Sequence, residues 1–74
     1  MEEIKSAVLN ATGSKQKAAM FHYQVLKHAD ELEGFNPTGF CKEISMPASY
    51  RTEFTKMLAL SRLMKEQGAK INWN

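Results

Sequence analysis

Between Tyr50 and Met64 the apolar residues recur at helical spacing. On a helical wheel Tyr50, Phe54, Met57, Leu58, Leu60 and Met64 fall within one broad arc, with Ser61 inside it, the stripe of a core-facing helix. Arg51, Thr55 and Arg62 point the other way, beside Thr52, Ala59 and Glu66. Ser49 is placed to cap this helix, Glu53 sets an acid in its first turns, and Gly68 stops it. The pattern predicts a helix over 49–67, the longest in the chain.

Three more helices precede it. Over 2–11, Ile4, Ala7, Val8 and Ala11 keep helical spacing, and Glu2 and Glu3 suit the positive end of the dipole. Thr12-Gly13-Ser14 breaks the pattern, and Ser14 is a candidate N-cap for the next helix. Over 15–33, Ala18, Phe21, His22, Val25, Ala29 and Leu32 share a face that Met20, Tyr23 and Leu26 widen. Gly34 ends it. Asp30, Glu31 and Glu33 crowd that end against the dipole, either as a solvated terminus or as a contact for a basic partner.

Asn36 then caps a third helix over 37–45, with Pro37 at its first position and Phe35 packing back as a hydrophobic staple. Phe40, Cys41 and Ile44 face inward. Pro47 disfavours helical geometry at Met46 and ends the helix. In the tail Ile71 and Trp73 alternate with polar residues, and Trp73 is placed to fold back onto the core. The expected fold is all-α, a compact bundle of about four helices in one domain.

Composition narrows the function classes. At 74 residues the chain has little margin of stability and depends on tight helix packing or on oligomerisation. Its one cysteine cannot form an internal disulfide, which fits a reducing compartment, and a cytoplasmic location is expected. No apolar run approaches a membrane span, and the Met-Glu-Glu start has the wrong charge for a secretory signal, so the Asn10-Ala11-Thr12 triplet reads as chance.

The net charge of +2 is small, but it is unevenly spread. Residues 1–41 carry four lysines against five acidic groups, net −1; residues 42–74 carry six basic groups against three acidic, net +3. Both arginines lie on the last helix, which gives it a modest basic face.

Catalytic chemistry finds no foothold. His22 and His28 fall on different faces of one helix, and with Cys41 alone elsewhere no zinc-like ligand set exists. His22 reads as a half-buried aromatic group and Cys41 as a small core residue with no general base beside it. The Thr12-Gly13-Ser14-Lys15 run lacks the glycine-rich lead of a phosphate loop. No enzyme, cofactor or metal site is expected.

The segment FCKEISMPASYRTEFTKM resembles the helix-turn-helix of bacterial and phage regulators. Phe40, Cys41 and Ile44 match the first helix of that pair, Cys41 stands where alanine is usual, and Ser45-Met46 stands for the turn. The pair would span 37–67. Two registers are open. With no insertion Arg51 takes a buried aliphatic position; with a longer turn Phe54 takes the core role.

The resemblance implies that the last helix enters the DNA major groove by its N-terminal end. Ser49, Arg51, Thr52, Thr55 and Lys56 would reach DNA first, and Arg62 would reach the backbone. Double-stranded DNA is then the expected partner, with a homodimer supplying a second set of phosphate contacts. The competing expectation is a helical protein-interaction module without DNA binding, using an apolar groove near Leu63 and Trp73 and the acidic end at Asp30–Glu33.

Overall fold

A computed structural model describes residues 1–69 and, of Ser14, the backbone alone. Ile71 and Trp73, with the packing expected of Trp73, lie outside the described residues. Five helices follow one another: α1 Glu2–Asn10, α2 Ser14–Lys27, α3 Ala29–Leu32, α4 Pro37–Glu43 and α5 Arg51–Glu66. A short 3-10 turn, Ala48–Tyr50, leads into α5. The fold is an all-α bundle, and among the described residues there is no strand.

Each helix contributes to one core. α1 supplies Ile4 and Val8, α2 Phe21 and Val25, α3 Ala29 and Leu32, and α5 Phe54 and Leu58. Phe40 and Cys41 come from α4, and Ile44 follows it. Helix α5 packs against α2, α3, α4 and the 3-10 turn, while α1 covers α2. Aromatic rings run through the centre. Phe21 meets Tyr50 edge-on at 5.0 Å and Phe40 at 5.7 Å, and Phe40 meets Phe54 at 4.5 Å. Such pairs add to the area that each ring buries.

The start of α4 is built as its residues dictate. The Asn36 side chain accepts a hydrogen bond from the Gly39 N–H at 2.9 Å, and Pro37 opens the helix. The Phe35 ring packs edge-on against Phe40 at 6.1 Å, closing the staple. At the other end the Met46 N–H bonds the Cys41 carbonyl at 2.9 Å and the Ser45 N–H bonds Lys42 at 3.2 Å. This is a Schellman ending, and it puts Ser45 at φ 60°, the left-handed region usually left to glycine.

Four expectations change. Helix 15–33 is interrupted at His28 (φ −105°, ψ 19°). The hydrogen-bond ladder survives the break, because the His28 N–H still reaches the Gln24 carbonyl and the Glu31 N–H reaches His28, each at 3.0 Å. Asp30 and Glu31 therefore open α3 instead of closing a long helix, and they suit its dipole. Second, Gly13, not Ser14, occupies the N-cap position of α2. Third, Ser49 does not cap α5. It lies inside the 3-10 turn, which the Tyr50 N–H closes onto the Pro47 carbonyl at 3.0 Å and which runs directly into the helix. Fourth, Leu60 is 39% exposed, at the edge of the core-facing arc.

Candidate nucleic-acid interface

The longer register holds. Phe54 is fully buried and Arg51 is exposed, so the 3-10 turn takes up the extra residues between α4 and α5. This turns the first helical residues of α5 outward, next to the beginning of α4. Pro37 and Thr38 of α4 and Arg51, Thr52 and Thr55 of α5 line one shallow depression. An adjoining hollow is lined by Phe35, Asn36, Pro37, Thr55 and Arg62, with Phe54 and Leu58 beneath. Thr55 belongs to both, so Arg51, Thr52, Thr55 and Arg62 form one continuous face.

The groups on this face differ in freedom. The Arg51 guanidinium donates to the Ala48 carbonyl at 3.2 Å, which leaves further donors turned to solvent. Thr55 Oγ1 donates back to the Arg51 carbonyl at 3.1 Å. Thr52 and Ser49 are exposed. Lys56 lies 3.6 Å from Glu53, one turn earlier, and flanks the face.

Arg62 is engaged. Its Nε donates to Glu33 Oε2 at 3.1 Å and its Nη2 to Oε1 at 2.6 Å. Hydrogen bonding and the charge of Glu33 raise the Arg62 pKa further above its ordinary value. Lys65 is paired with Asp30 one turn further on. Asp30 in α3 and Glu33 just after it therefore pair with α5, and Arg62 meets another anion with its remaining donors, beside the Glu33 charge.

Behind the face, His22 on α2 meets Glu53 on α5 at 2.9 Å, both half-buried. The His22 hydrogen bond holds the Glu53 carboxyl below its ordinary value; its burial opposes this, and the nearby Lys56 charge assists. Cys41 lies in the core, where burial pushes its thiol up against the opposing charge of Arg51. The thiol stays protonated at neutral pH and is a packing group. Sequence spacing did not reveal Pro37 and Thr38 as neighbours of Arg51, nor the partners of Arg62 and His22. Among the described residues no group of three or more His, Cys, Asp or Glu could hold a metal ion, and no helix is long and apolar enough to cross a membrane.

A family model described as an HTH-like domain matches residues 1–67. The chain belongs to the HTH-like domain family. The match takes in all five helices, so α1–α3 are as much part of the HTH-like domain as the α4–α5 pair. No curated protein and no solved structure matches the chain significantly.

Proposed function

We propose that this HTH-like domain binds double-stranded DNA as a regulatory or accessory protein, with the first half of α5 in the major groove. The observation that carries the reading is the exposed Arg51–Thr52–Thr55 face set beside the start of α4 in a chain of this family. A guanidinium at this end of a helix can pair with the two acceptors on a guanine edge. Thr52, Thr55 and Ser49 serve phosphates or base edges, and Lys56 adds charge at the flank. Arg62 reaches the phosphate backbone with its remaining donors. No catalysis belongs to this role, which places the protein with DNA in the cytoplasm.

The test is anisotropy of labelled duplex DNA with the native chain and with Arg51→Ala. The variant should bind about tenfold more weakly, in line with about 1–3 kcal/mol for a good base contact. Its melting temperature should hardly change, because Arg51 is exposed. Equal binding by the two chains would remove Arg51 from the interface. A second reading, a protein-interaction module, is favoured by Leu63, which is 50% exposed on the same helix. It predicts binding to a protein partner and no salt-dependent affinity for DNA.

A further inference from the structure

The side of α5 opposite its buried Phe54 and Leu58 carries a self-complementary pattern. Lys56, Ala59, Leu63 and Glu66 follow at helical spacing of three and four residues, so they form one stripe. All four are exposed, and Leu63 is half uncovered, so no other described element packs over the stripe. The order along it is basic, small, large, acidic. Arg62 and Lys65 are paired with Glu33 and Asp30 off the stripe, and Lys56 has, among the described residues, only the longer, exposed contact with Glu53 at 3.6 Å, which the partner's Glu66 can share.

We infer that this stripe is the contact for a second copy of the chain, with the two α5 helices packed antiparallel about a two-fold axis at the level of Ser61. In that register each Leu63 sits over the partner's Ala59, a large side chain against a small one. Each Lys56 faces the partner's Glu66, so both ends of the contact pair opposite charges. A parallel pairing would set Lys56 on Lys56 and Glu66 on Glu66. The charge order selects the antiparallel arrangement, and a two-fold interface repeats each contact twice.

The arrangement has a geometric consequence that rests on the DNA-binding reading. Arg51 lies ten residues before Ser61, so at about 1.5 Å per residue the two Arg51 levels are about 30 Å apart. Arg51 and Thr55 lie to the side of the stripe, and the two-fold axis turns both copies of that side the same way. The spacing is close to the one helical turn of DNA, about 34–36 Å, that separates the half-sites of a dimeric helix-turn-helix protein. In this dimer Lys56 turns to the partner helix, in place of the flanking DNA contact of a single chain, and Arg51 and Thr55 remain for DNA.

The test is sedimentation equilibrium of the full chain at the concentration of an NMR sample. The native protein should show twice the mass of one chain. Leu63→Glu should show the mass of one chain with an unchanged circular dichroism spectrum. Lys56→Glu should also dissociate, and adding Glu66→Lys to it should restore the dimer, because the charge pairs are then re-formed with their signs exchanged. A native monomer overturns the inference, as does a dimer that neither single variant disturbs. A dimer that responds as expected but binds no DNA sustains this contact and removes the DNA-binding reading alone.

Discussion

Ser45 carries the sharpest local conflict in the chain. It holds φ 60° at the residue where the α4 Schellman ending calls for glycine. A left-handed residue other than glycine costs about 1–2 kcal/mol, and glycine gives back about half of that through its looser unfolded state. Ser45→Gly should therefore stabilise the fold by about 0.5–1 kcal/mol in urea denaturation. A destabilised variant would mean that the hydroxyl has a partner that outweighs the strain. Much at this scale was legible. Asn36, Pro37 and Phe35 announce the start of α4 because cap, first-turn proline and staple act between near neighbours. Phe54 read as core and proved fully buried. Leu60 was misread because periodicity gives a direction around the helix but not how far the neighbouring helices extend over it.

Between elements, ion pairs decide what α5 can do. Glu33 and Arg62 are 29 residues apart in sequence, Asp30 and Lys65 35, and His22 and Glu53 31. No spacing rule reaches across such separations, so the acidic run read as a solvated end or a partner's contact. The break at His28 was hidden for a related reason: the apolar pattern continues through it in Ala29 and Leu32. Glu33→Gln should free Arg62 and remove a negative charge from beside the proposed DNA face. Duplex affinity should rise several-fold at low salt in an anisotropy titration, and a fall would show that the pair positions the face.

The His22–Glu53 contact makes a pH prediction. Glu53 has its folded pKa lowered, so the stability of its ionised form is complete above the ordinary value of 4.5. That stability is lost as pH falls through the lowered folded value. The melting temperature of Glu53→Gln should thus lie below that of the native chain at neutral pH, and the gap should narrow in acid. A gap independent of pH would mean that the carboxylate charge plays no part.

For the whole molecule, a core fed by every helix holds α5 at the surface by one side only. Its other side carries the Arg51–Thr55 face and the Lys56–Glu66 stripe. The all-α architecture was readable from helical spacing along the chain, and the helix-turn-helix likeness from 37–67, because the Asn36 cap just before it and the buried stripe of α5 mark out the pair. The length of the turn was not, since either register kept plausible residues inside, and burial of Phe54 settled it. With so few cations on the face, one chain should bind DNA weakly, and pairing of two chains should raise both the affinity and its salt dependence. The most direct measurement is an NMR titration of the folded protein with generic duplex DNA. Shifts should centre on residues 49–62 at about 50 mM salt and fade by about 200 mM. No shifts at the lower salt, or shifts confined to α1 and α2, would contradict DNA binding through α5.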